Sequence, residues 1–141
     1  MKSAGHLLID DHEQINRLLR SSVSMLRSGM FELARTLFED FREEVRHHIE
    51  VEERHLFEPY LARTGDPEGA VEEMRRQHVE LEARMGALLE DLDWSEKEAL
   101  RIEEEMEGLE EFLGQHCRLE EKTLYPFVNT LAEQRRNQLE F

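Results

Sequence analysis

Between Leu33 and Leu56 the apolar residues recur at the three- and four-residue steps of an α-helix, yet a histidine and a glutamate occupy two places on that stripe. Counting back from His48 gives Val45, Phe41, Leu37 and Leu33, and counting forward gives Glu52 and Leu56. His48 and Glu52 therefore stand where core residues belong. A buried carboxylate with nothing to bind costs several kcal/mol or gives up its charge. A cation held between the imidazole and the carboxylate removes the conflict.

The same pattern occurs twice. His48-x-x-x-Glu52-Glu53-x-x-Leu56-Phe57-x-Pro59 returns as His116-x-x-x-Glu120-Glu121-x-x-Leu124-Tyr125-Pro126. Each copy follows a helical stretch with a single histidine on its apolar face, His12 in the first half and His78 in the second. The chain reads as two helix pairs, each supplying one His and then a His with a Glu. Such a duplicated set suits two metal ions related by a pseudo-two-fold axis. One histidine on an apolar face is usually a hydrogen-bonded core residue. Four of them, one per helix, with Glu52 and Glu120 in register, favour ligands.

Glu, Leu and Arg dominate, Gly and Pro are few, and β-branched residues are sparse, so the class is all-α. Helix 1 is expected from about Ser3 to Ser28, with Leu8, His12, Ile15, Leu19, Val23 and Leu26 on one face and Gly29 ending it in the left-handed conformation. Helix 2 follows from about Met30, with Pro59 breaking or kinking it and Gly65 and Asp66 turning the chain. Asp66 as cap, Pro67 at the first position and Glu68 open helix 3, whose stripe is Val71, Met74, His78, Leu81, Met85, Leu88 and Leu92. After a loop at Asp91–Trp94, Ser95 and Glu98 form a capping-box pattern for helix 4. Its face is Ile102, Met106, Leu109, Leu113, His116, Glu120 and Leu124, and Pro126 is expected to interrupt it before a short C-terminal helix to about Gln138. The expected architecture is an up-down-up-down four-helix bundle in one domain over residues 1–141. At roughly 1.5 Å per residue, His12 and His48 fall within about 3 Å of one level, whereas His78 and His116 differ by about 9 Å. Helix 4 must overhang, or its loop must climb.

The formal net charge of −15 argues against nucleic-acid phosphate and anionic membrane surfaces as partners. A single Cys excludes an intrachain disulfide framework. With no signal-peptide pattern and no apolar run near the ~18 residues of a membrane span, a cytoplasmic location is expected.

The motifs resemble the hemerythrin-like family, also called the HHE cation-binding domain, over nearly the whole chain. Asp11-His12-Glu13, His48-x-x-x-Glu52, Gln77-His78 and His116-x-x-x-Glu120 with its Leu-Tyr-Pro continuation carry the resemblance. It implies a four-helix bundle around a non-haem di-iron centre: His12 and His48 on one iron, His78 and His116 on the other. Glu52 and Glu120 would bridge them beside an oxo or hydroxo bridge. Imidazole and carboxylate donors suit iron, and bridging carboxylates hold two like charges together.

Two departures bear on function. Oxygen-carrying members have another histidine four residues after the third-helix ligand, where this chain has Glu82, a residue able to reach the same iron. They also take their last carboxylate five residues after the fourth-helix histidine, which would be Glu121; Glu120 keeps the repeat and the stripe. The pattern looks closer to members linked to nitric oxide, peroxide and iron-sulfur repair. Those repair proteins carry a cysteine-bearing segment before helix 1, with which this chain begins. His47 is rotated about 100° from His48 and reads as solvated, and His6 as surface. His55 has Thr123 in its place in the second copy and reads as outside the metal site. Cys117 reads as a small buried filler, Phe57 and Tyr125 as core, and the acidic runs Glu103–Glu105 and Glu110–Glu111 as a solvated face.

A ferritin-type centre needs Glu-x-x-His in both halves. Glu44-x-x-His47 and Glu52-x-x-His55 both lie in helix 2, so it is rejected. A structural zinc site could use four His but leaves two Glu surplus. The expected function is a di-iron protein that binds or reacts with O2, NO or peroxide in scavenging, stress response or iron-centre repair. A reversible oxygen carrier or store, an iron or oxygen sensor, and a zinc-binding bundle are the alternatives.

Overall fold

A computed structural model of the chain describes residues 4–139, and side chains over residues 8–130. The fold is all-helical among the described residues: α1 Ala4–Arg27, α2 Phe31–Val51, a π-helical turn Glu52–Leu56, α3 Phe57–Thr64, α4 Ala70–Glu90 and α5 Ala99–Leu139. α2, the π turn and α3 run on as one rod, so four rods form the expected up-down-up-down bundle. α1 packs on α2 and α5, and α4 packs on the same two. The antiparallel course shows in the side-chain pairs. Arg27 meets Glu103 while His12 meets Glu120, and Arg46 meets Glu82 while Glu53 meets His78.

The ends of the helices follow local chemistry, with several changes from the sequence expectation. Gly29 sits at φ +78° and closes α1, with its N–H on the Leu26 carbonyl and the Met30 N–H on the Met25 carbonyl. Gly65, at φ +68°, ends α3 in the same way. Pro67 does not open the next helix; Gly69 is the residue before α4, which starts at Ala70. Asp66 still caps it from further back, its two carboxylate oxygens accepting from the Ala70 and Val71 N–H groups at 2.8 and 3.0 Å. The expected Ser95–Glu98 box does not form either. Residues 95–98 make a turn, α5 begins at Ala99, and Ser95 Oγ and Glu98 Oε2 have no hydrogen-bond partner.

Neither proline breaks its rod. The π turn ends the α2 hydrogen-bond ladder, so Pro59 falls in the first turn of α3, where a missing N–H is tolerated. Pro126 lies inside α5 on its exposed side, where the carbonyl deprived of a partner can be hydrated. The expected separate C-terminal helix is therefore a continuation of α5. The height mismatch of His78 and His116 is absorbed at the other end. His78 is 12 residues from the end of α4 and His116 is 17 from the start of α5. α5 thus overhangs α4 by about 7.5 Å, and the loop at 91–98 spans that drop. Trp94 plugs it, donating Nε1–H to the Leu88 carbonyl at 3.0 Å and lying 5.6 Å from the Phe38 ring.

The apolar interior is in two parts. One cluster runs from Trp94, Phe38 and Leu26 up to Ile15, Val45, Leu113 and Cys117. The other, near the far end, holds Phe57, Val71, Met74, Leu124, Tyr125 and Val128. Between them lies a layer of buried polar groups, which is the site described below.

In α2 the lower stripe is Ala34, Phe38, Phe41 and Val45, all buried, while Leu33 is 42% exposed. Steps of four drift about 40° each from a 3.6-residue turn, so counting back from Val45 by fours leaves the core face. Phe38→Ala should accordingly cost about 3–5 kcal/mol in denaturant unfolding, and Leu33→Ala close to nothing. Equal losses would contradict this register.

Candidate metal centre

The four stripe histidines and two glutamates arrive at one level from four rods. His12, His48, His78 and His116 are 2–8% exposed, and Glu52 and Glu120 are fully buried. All four imidazoles direct Nε2 inward. His12 Nε2 is 3.0 Å from His48 Nε2, and the two rings lie 4.7 Å apart. The rings of His78 and His116 are also 4.7 Å apart. Glu52 spans the pairs, with Oε2 at 3.5 Å from His48 and Oε1 at 3.3 Å from His78. Glu120 reaches all four: Oε1 lies 3.1, 3.6 and 3.2 Å from His12, His48 and His116, and Oε2 lies 3.7 Å from His78.

These donors group as a metal would need them. Glu52, His78, His116 and Glu120 form one cluster, and His12, His48 and Glu120 form the other. Donors about 2.1 Å from a shared cation and at right angles to each other stand about 3 Å apart, which matches the separations seen. Both Glu52 oxygens, Glu120 Oε2 and His78 Nε2 are buried without a hydrogen-bond partner. Orphaned charged atoms of this kind are costly unless a cation satisfies them. The residues fit two metal ions.

The electrostatics of the metal-free cluster show what a cation replaces. Burial opposes protonation of His48, but the Glu120 and Glu52 carboxylates outweigh it and push the imidazole up to about 10. His78 is pushed up to about 9 by the same balance. Burial and the neighbouring Glu120 push Glu52 up. Glu120 is held well below the usual range, because the neighbouring Glu52 and the imidazoles of His116, His12 and His48 outweigh its burial. Protons stand in for the metal, and binding must displace them.

The outer nitrogens of His78 and His12 face the second glutamate of each repeat. Glu53 Oε1 accepts from His78 Nδ1 at 3.2 Å, and Glu121 Oε1 lies 3.6 Å from His12 Nδ1. Glu53 of the first half thus braces His78 of the second, whereas His12 Nδ1 has no hydrogen-bond partner. Gln77 Oε1 accepts from His116 Nδ1 at 2.7 Å, which fixes the tautomer and leaves Nε2 free for a metal. Glu53→Gln should weaken metal binding by roughly 10–100-fold, read by competition with a chelator; an unchanged affinity would remove the bracing role.

Other sequence expectations fare unequally. His47 and His55 are exposed and Cys117 is buried, as expected; the His6 side chain lies outside those described. Glu82 is away from the centre, half-exposed and bonded to Arg46 of α2, because α4 turns that position to the rim. The acidic α5 face is not wholly free: Arg27 pairs with Glu103 and Glu107, and Arg20 with Glu110. Tyr125 is the residue that sequence reasoning passed over. Its hydroxyl enters the centre, 2.7 Å from His12 Nε2 and 3.0 Å from His48 Nε2, whereas its counterpart Phe57 stacks flat on His78. The only signal was the hydroxyl that distinguishes Tyr125 from Phe57.

No helix among the described residues is long and apolar enough to cross a membrane. Comparison with curated proteins and with solved structures gives no match. A family model does match, over residues 3–128, and its description as a cation-binding domain agrees with a polar layer built to hold metal. By that match the chain belongs to the hemerythrin HHE cation-binding domain family.

Proposed function

We propose that this protein is a non-haem di-iron protein that binds or reacts with dioxygen, nitric oxide or peroxide. The observation that carries the reading is the pair of donor clusters sharing Glu120, with buried carboxylate oxygens that nothing else satisfies. His12 and His48 would hold one iron and His78 and His116 the other, with Glu52, Glu120 and an oxo or hydroxo group between them. Iron held by imidazoles and carboxylates supplies redox change and an open position for a small ligand.

The surrounding chain suits that chemistry. A void of about 10 Å³ is lined by His12, His48, His116, Ile15, Leu81 and Leu113, about the room needed for a single water molecule. The two apolar clusters above and below the layer limit water. Glu82 supports a reactive centre over a reversible carrier. Oxygen carriers of the family have a histidine ligand there, and here the position is committed to Arg46. The reading places the protein in a cytoplasmic setting, with a small molecule as partner instead of nucleic acid or membrane.

Metal analysis after anaerobic loading with ferrous iron should give two irons per chain. Optical spectra on adding oxygen, nitric oxide and peroxide in turn should show rapid oxidation in air and reaction with the other two. One zinc in place of two irons, or a stable reversible oxygen adduct, would overturn the reading.

A further inference from the structure

We propose that Tyr125 is a direct ligand to the metal held by His12 and His48, an assignment that rests on the two-metal reading above. Tyr125 is 2% exposed, and its Oη lies 2.7 Å from His12 Nε2, 3.0 Å from His48 Nε2 and 3.4 Å from Glu120 Oε1. Those three atoms are themselves 3.0, 3.1 and 3.6 Å apart. Four donors at such separations have the spacing of ligands around one cation. As a hydrogen-bonding group alone, the phenol has a single proton to share among these close polar neighbours. As a ligand, its oxygen joins the same metal that takes both imidazole nitrogens.

The two halves of the centre differ at this point. The aromatic residue five places after Glu52 is Phe57, whose ring lies 5.7 Å from His78 at an interplanar angle of 8° and offers no oxygen. The residue five places after Glu120 is Tyr125. A pseudo-symmetric bundle therefore carries an asymmetric centre. Ligation forms a metal–oxygen bond and releases the phenolic proton to solvent, with no electron transferred. Tyr125 would add a phenolate to His12, His48 and Glu120 at one metal. The metal held by His78 and His116 would have no such oxygen. The anionic oxygen would stabilise the ferric charge of its own metal.

The protein loaded with ferric iron tests this without any turnover. A phenolate on ferric iron gives a charge-transfer band in the visible, and excitation within it enhances tyrosine ring vibrations in the Raman spectrum. Wild type should show both. Tyr60→Phe, which removes the only other tyrosine, should leave them unchanged, and Tyr125→Phe should abolish them. Two bound irons in wild type without a phenolate band would overturn the assignment while sparing the di-iron reading. A band that survives Tyr125→Phe would overturn it as well. Failure of wild type to bind iron would overturn the di-iron reading and this assignment together. The wild-type and Tyr60→Phe spectra decide the question even if Tyr125→Phe loses metal.

Discussion

Glu120→Ala should strip the protein of both metals, with affinity falling more than ~100-fold at each position. Glu120 is the one residue common to both donor clusters and contacts all four imidazoles. Its removal takes a bridging charge from both sites and leaves Glu52 as the only carboxylate of the layer. Ferrous iron titration with elemental analysis measures the loss. Glu120→Gln keeps the shape without the charge and should retain part of the binding. His47→Ala, on an exposed position one residue from a ligand, should bind as wild type does. Two tightly held irons in Glu120→Ala would contradict the shared bridge.

Opposite responses to pH are expected from the metal-free and metal-loaded proteins. Without metal, His48 at about 10 and His78 at about 9 hold protons that the unfolded chain, near 6.5, releases. The stability they contribute is full below about pH 6.5 and is lost as pH rises through 9 to 10, since the native state then binds more protons than the unfolded one. Glu52, also pushed up, acts in the same direction from lower pH. The metal-free protein should therefore lose a few kcal/mol between pH 6.5 and 10, on the order of 10 °C in melting temperature. Metal takes only the neutral imidazole, so the loaded form should hold its stability over that range and release metal below about pH 6. Melting curves of both forms across the range are the check. Parallel pH slopes would mean that protons and metal do not compete for the same nitrogens.

The lateral order of the fold was legible because burial in a helix repeats every 3.6 residues, whatever the rest of the molecule does. That period alone placed His12, His48, His78 and His116 on core faces. The duplicated His-x-x-x-Glu put Glu52 and Glu120 beside them, and Gly29 and Gly65 marked two helix ends. Tertiary structure decided what depends on distances between rods. The π turn at Glu52–Leu56, where the Phe57 N–H bonds to the Glu52 carbonyl, occurs in the first copy of the repeat, while α5 runs through the second as regular helix. Near-identical motifs carry no local reason for that difference. Glu53 had no assigned role and Glu121 read only as the alternative ligand to Glu120, until the opposite half of the chain brought His78 and His12 near them. Glu82 lay within reach of a ligand by helix counting, yet Arg46 on the neighbouring rod claimed it. Tyr125 read as core because its ring is core; only the tertiary arrangement that brings His12 of α1 and His48 of α2 to α5 put its hydroxyl among the ligands. A sequence fixes which face a side chain is on through bonds within one helix, but where its last polar atom ends depends on the neighbouring helices.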